Sequence, residues 1–319
     1  MPAIAAHHFF GRSVLKQLPN SVTWLYDPAL STHILHLQTF DWGCQGPDIL
    51  FYHLFPTGRR ENFGTLLHHE KIPQTFFYLF HTVHALQAPW ESHLLTAYLM
   101  GYVCHYCLDR QTHPYINDRC RSLIHPKRVL SPTIQHRMLE ADLERVYLEK
   151  YAPEIPVRDF RLDQLHPTNY QVIHPIARLL TGLGRNLFGL RTTPTKVEES
   201  MRLMNHLQTI LHDPQHKKRE FYFGLEKAAG YPDFFTALIP PEVPLEIDSL
   251  NLTQQSWHNA YGQKQWDSYW ELETQARRSA CSLILTLHAL QPESGARSVA
   301  HAFPFSCFSL DYLGKPCKM

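Results

Sequence analysis

The sequence carries almost no net charge. Lysine and arginine number 30 against 29 acidic residues, a balance of +1 with the 22 histidines counted as neutral. That leaves no electrostatic ground for a broad nucleic-acid surface, and no stable nucleic-acid complex is expected. Long apolar runs are also missing. The best stretch, around Leu94–Val103, is short and broken by Gly101 and His105, so no membrane span is expected. The opening MPAIAAHHFFGRSVL lacks a basic region followed by a sustained apolar one. A secretory leader is therefore not expected, and the cytoplasm is the expected setting. Seven cysteines form an odd set without framework spacing, which suits reduced thiols rather than a disulfide scaffold. No strand alternation with hairpin turns recurs, and there is no internal repeat.

What is present is helical periodicity. With 44% apolar and 18% charged residues over 319 positions, the chain is long enough for a large buried core. The pattern predicts helices over about Phe9–Lys16, Ser31–Thr39, Pro73–His84, His93–Gln111, Thr133–Lys150, Asn169–Thr181, Thr195–Leu211, Pro232–Ala237 and Gln263–His288. The 23 prolines concentrate in the connections, as at Pro153–Pro156 and Pro240–Pro244. The expected organisation is one all-α domain over residues 1–290. Residues 291–319 lack periodicity and read as a docked or loose C-terminal extension.

Histidines and acids fall on these helices at telling intervals. AYLMGYVCHYCLDRQTHP sets His105, Asp109 and His113 four residues apart, on one stripe of an apolar helix. IQHRMLEADLE repeats the device with His136 and Glu140. Imidazole and carboxylate are zinc ligands, although iron and manganese accept the same set. Two such helices facing one another could hold a metal cluster. An ion pair would account for His136 and Glu140 but contributes only about 0.2–0.5 kcal/mol on an exposed helix. It leaves unexplained an aspartate among apolar neighbours, which a cation would compensate. Pro114 disfavours helical geometry at His113 and predicts that the first helix ends there.

Other segments are more ambiguous. In GCQGPDILFYH, Asp48 follows a Gly-Pro turn and could be a helix cap or a site residue. FGTLLHHEK offers His68 and His69, either a solvated pair or ligands. Cys104 and Cys107 form a CxxC in mid-helix, where packing is the better reading. His212-Asp213 has the look of a phosphohydrolase HD pair, but no helical histidine set precedes it.

Through AHHFFGRSVL, GCQGPDILFYH, FGTLLHHEK, YLMGYVCHYCLDRQTHPYI and HRMLEADLE, in this order, the chain resembles the zinc-dependent phospholipase C family, close to its bacterial members. A weaker likeness follows in LNLTQQSWHNAYG and SYWELETQARRSAC, so the resemblance covers about residues 1–290. It implies an all-α, multi-helical bundle of the phospholipase C and single-strand nuclease type, with a buried site for two or three zinc ions. Carried over residue by residue, His68, His105 and Asp109 look like ligands of one zinc. His113, His136 and Glu140 look like those of a second, and His7 with a bridging Asp109 would serve a third. Secreted members complete that third site with a processed N-terminal residue, whereas this chain opens Met1-Pro2. Asp48 looks like the active-site aspartate that orients or deprotonates water. Glu144, one turn beyond Glu140, could serve as a substitute ligand, and His69 could replace His68.

The implied reaction is hydrolysis of a phosphate ester by metal-activated water. Phospholipid is the substrate class the resemblance implies, with peripheral membrane contact left open. A nuclease or soluble phosphodiesterase of related fold, and a metal-binding protein without activity, are the rival readings.

Overall fold

The computed structural model describes residues 4–54, 56–58, 61–122, 131–215, 217–230, 235–290 and 303–317. These residues form an all-helical body. In chain order the helices are α1 (Ile4–Leu15), α2 (Asn20–Thr23), α3 (His33–Cys44), α4 (Phe63–His69), α5 (Ile72–His84), α6 (Pro89–Arg119), α7 (Pro132–Tyr151), α8 (Tyr170–Phe188), α9 (Pro194–Leu211), α10 (Lys217–Ala228) and α11 (Tyr269–Ala289). The sheet content among the described residues is one antiparallel pair, β1 (Trp257–His258) with β2 (Lys264–Gln265). No described helix is long and apolar enough to cross a membrane.

Helix α6 is the central element and packs chiefly against α3 and α11. It is buried nearly all round from Leu94 to Asp109, which explains its unbroken apolar character. Contrary to expectation it does not stop at His113 but continues through Pro114 to Arg119. Contacts beyond the proline outweigh its local preference. Tyr115 is buried and donates its hydroxyl to the Ser249 carbonyl at 2.7 Å. Arg119 donates to the Asp248 carbonyl and to Gln255. His113 is consequently a helical residue, on the same stripe as His105 and Asp109.

Where α3 crosses α6 the two backbones touch. A Cβ on Gly43 would lie 2.2 Å from the Tyr98 carbonyl oxygen, and one on Gly101 2.2 Å from that of Phe40. Only glycine permits this approach, and it sets the C-terminus of α3 against the inward stripe of α6. Just beyond, Gly46 adopts φ +49° and opens a 3-10 turn over Gly46–Tyr52 that carries Asp48. A Cβ there would fall 2.6 Å from the His105 ring.

The predicted helix over 263–268 is absent, because β2 and a loop occupy it. Ser268 then starts α11 through a capping box with Glu271. Of the predicted Pro232–Ala237 helix, residues 231–234 lie outside the described residues, and Thr236–Leu238 form a 3-10 turn. Helices α2, α4 and α10 were not foreseen. In the C-terminal segment, 291–302 and 318–319 also lie outside the described residues. Phe303, Phe308 and Tyr312 are buried in the main core, beside Phe76 and Tyr106.

Candidate metal centre

The eight residues singled out in the sequence converge at one place. His7 comes from α1, Asp48 from the 3-10 turn, His68 from α4, and His105, Asp109 and His113 from α6. His136 and Glu140 come from α7. Asp109 lies at the middle. Its Oδ1 is 3.2 Å from His7 Nε2, and its Oδ2 is 3.2 Å from His105 Nε2 and 3.6 Å from His113 Nδ1. Asp48 Oδ1 stands 3.2 Å from His68 Nε2. Glu140 Oε1 joins the far end, 2.9 Å from His136 Nε2 and 3.5 Å from His113 Nε2. Three groups offer donor atoms lying within 4.8 Å of one another: His7, His105 and Asp109; Asp48, His68 and His105; His113, His136 and Glu140. Asp48 thus stands inside the donor cluster rather than beside it.

The orientation of the imidazoles is the most informative feature. His105 Nδ1 faces the Cys44 carbonyl at 3.0 Å, and His68 Nδ1 faces that of Gly64 at 2.7 Å. His113 Nδ1 faces the Tyr312 carbonyl at 2.9 Å, and His136 Nδ1 faces Asn117 Oδ1 at 3.0 Å. A carbonyl oxygen only accepts, so each Nδ1 carries the proton and donates. Each Nε2 is thereby the nitrogen turned inward, the one a ligating histidine would present to an ion on giving up its proton. His7 stacks on His105 with ring centres 4.1 Å apart, and its Nδ1 is buried without a hydrogen-bond partner.

Electrostatics point the same way. Burial opposes the charge on Asp109, but His113, His105 and His7 outweigh it and hold its carboxyl well below the usual range. Burial is likewise outweighed at Glu140 by His136 and His113, and at Asp48 by His68 and His105. Asp48 falls to about 2. His113 is raised to about 9, since Asp109 and Glu140 overcome its desolvation. Asp109, Glu140 and Asp48 therefore stay ionised, with protonated imidazole such as His113 as their counter-charge, a role that a divalent cation bound in place of those protons would take over. Glu144 differs: burial raises it to about 8, and it accepts the Ala5 N–H at 2.6 Å.

The remaining candidates sort by direction. His69 points outward and pairs with Asp311 at 3.5 Å, while the preceding His68 points in. Cys104 and Cys107 are buried in the core. Asp213 accepts the Lys218 and Arg219 backbone N–H groups, so it caps α10 rather than forming an HD site. Met1 and Pro2 lie outside the described residues. Sequence reasoning missed the supporting layer of Cys44, Gly64, Asn117 and Tyr312. Asn117 alone had a visible signal, being the next step on the stripe after His113. Beside the cluster opens a cavity of about 800 Å³ that reaches His136 and Phe51.

No curated protein and no solved structure matches the chain. The zinc-dependent phospholipase C family matches residues 6–189, more than half its length and the part that supplies every donor named above. With donors, carbonyl supports and charge fitting zinc, the conclusion is plain: the chain belongs to the zinc-dependent phospholipase C family.

Proposed function

We propose that the protein is a phosphodiester hydrolase of the phospholipase C type that uses two or three zinc ions. The observation that carries this reading is the set of four inward Nε2 atoms, each fixed by an acceptor on the opposite nitrogen. His68, His105 and Asp109 would hold one ion, His113, His136 and Glu140 a second, and His7 with Asp109 a third. Bound zinc would supply Lewis acidity toward phosphoryl oxygens and lower the pKa of a bound water toward about 7. Asp48, ionised and 3.2 Å from His68, would accept a hydrogen bond from the attacking water and align it. The large cavity beside His136 admits the ester. Helix α10 exposes Phe221, Phe223 and Leu225 beside Lys217, Lys218 and Lys227, a combination suited to peripheral contact with a lipid surface. The free thiols suit a cytoplasmic setting.

A nuclease or soluble phosphodiesterase is the second reading, favoured by Arg121, Arg137 and Lys315 on the cavity wall. Both readings are tested by elemental analysis of protein purified without added metal, coupled to a panel of phosphate esters. The expected result is at least two zinc ions per chain and release of diacylglycerol from phospholipid in micelles and vesicles. Folded, metal-free protein would sink the proposal. Efficient cleavage of single-stranded DNA with every phospholipid ignored would hand the site to the second reading.

A further inference from the structure

The segments that build the donor cluster run on into the cavity wall, and each places a cation there. α6 continues from His113 to Asn117, and Arg121 follows in the 3-10 turn Cys120–Ser122. Arg137 follows His136 on α7. Lys315 comes three residues after Tyr312, whose carbonyl holds His113. Asp118 is the acidic residue on the described wall, and it faces His258 at 3.6 Å. A cationic head group such as choline would meet three like charges and a single carboxylate already facing a partner. An additional anion would find guanidinium groups suited to bidentate recognition. Among the described wall residues the carbocyclic aromatic is Phe51, one face of which already stacks on His68 at 5.1 Å. That leaves little platform for successive bases and favours a compact anionic group over a nucleic-acid strand.

We infer that the cavity takes a phosphodiester whose head group, the part that stays on the phosphate when diacylglycerol leaves, carries a further negative charge, with Arg121, Arg137 and Lys315 as the specificity-determining residues. This rests on the hydrolase reading above. The cations bind the second anion and thereby fix the orientation of the retained head group, leaving the bond to diacylglycerol turned toward the donor cluster. Electrostatic focusing in a walled cleft strengthens the preference at low salt.

The test uses zinc-loaded full-length protein and three dihexanoyl lipids: phosphatidylinositol 4-phosphate, phosphatidylglycerol and phosphatidylcholine. The expected order of kcat/KM follows that sequence. The first should exceed the last by at least about tenfold, a margin that shrinks between about 50 and about 500 mM salt. Lys315→Glu and Arg137→Gln should each reduce the ratio several-fold with zinc content unchanged. Phosphatidylcholine turned over as well as the anionic lipid, or a ratio that neither variant moves, overturns the inference. So does a thymidine dinucleotide that outruns all three lipids. Glycerophosphoinositol 4-phosphate hydrolysed as fast as its lipid parent supports the same anion chemistry with a soluble source. Calorimetric titration of that soluble diester against glycerophosphocholine separates the two claims. Selective binding without hydrolysis of any ester defeats the hydrolase reading and leaves the anion cleft standing. Hydrolysis with equal binding of both does the reverse.

Discussion

Helix α1 faces two buried aspartates, and they are treated in opposite ways. His7 turns to Asp109; His8 and Arg12 turn to Asp41. Asp41 is neutralised by the protein itself, with Arg12 bound through both oxygens at 2.8 and 2.6 Å and His8 at 3.2 Å. His166 nearby donates its Nε2 proton to the Asp41 carbonyl and is spent as a donor. Among the described residues no lysine or arginine pairs with Asp109, whose partners are the histidines His7, His105 and His113. Counting histidines and acids does not separate the two clusters. A fixed guanidinium closes one; imidazoles with their protons turned outward leave the other ready for an added cation.

The sharpest way to break that comparison is the same substitution in both clusters. Asp109→Asn should lose bound zinc and with it several kcal/mol of transition-state stabilisation, a fall of at least about 10³-fold in rate. Asp41→Asn should keep zinc and turnover but lose about 2–3 kcal/mol of stability, because Arg12 is left partly buried without its partner charge. Metal analysis, kinetics and urea unfolding of both variants decide. Equal zinc loss in the two would mean that the clusters are not distinct.

Much of the first cluster was legible because helical spacing is rigid. His105, Asp109, His113, His136 and Glu140 declare their shared faces in the sequence alone. The gathering of His7, Asp48 and His68 with them was implied only through the family likeness, since three separate elements must fold to bring them there. What spacing could not reveal is carried by the backbone. The carbonyls of Cys44, Gly64 and Tyr312 have no side-chain signature, and Tyr312 lies about 200 positions from the histidine it holds. Pro114 misled for a related reason. Its local preference was real, but Tyr115 and Arg119 make tertiary contacts that cost more to break than the proline costs to keep. The choice between His68 and His69 likewise needed the direction of α4. The Asp41 cluster was overlooked altogether, although His8 and Arg12 stand four residues apart.

A gentler probe touches the support rather than the donor. Asn117 offers only Oδ1 to His136 Nδ1, at 3.0 Å, and belongs to none of the donor groups. Asn117→Ala should leave the ligands in place while freeing the His136 ring to rotate and change tautomer. Zinc affinity should fall about 10- to 100-fold, the usual cost of losing a partner behind a ligating histidine. Competition against a chromogenic chelator measures it directly. Asn117→Asp should restore affinity, because a carboxylate accepts the same proton. Unchanged affinity in the alanine variant would mean that His136 is oriented by Glu140 alone.

The smallest effect belongs to the closed cluster and is read through pH. Burial pushes His166 down from 6.5 to about 3, with the neighbouring His8 adding to the shift. Its neutral form is held by the bond to the Asp41 carbonyl at 3.1 Å. Below pH 6.5 the unfolded chain binds a proton that the folded chain refuses, so folding loses stability as pH falls toward 3. The slope approaches about 1.4 kcal/mol per pH unit. Above pH 6.5 both states are neutral and the residue contributes no pH dependence. His166→Gln keeps an N–H donor for the carbonyl but cannot titrate. Between pH 7 and 5.5 the wild type should therefore lose about 1 kcal/mol more than the variant in urea unfolding. Taking the difference between the two proteins cancels the acid sensitivity of the zinc donors, which both share. Parallel pH profiles would show that His166 does protonate when folded, and that the Asp41 cluster is more open to solvent than its packing indicates.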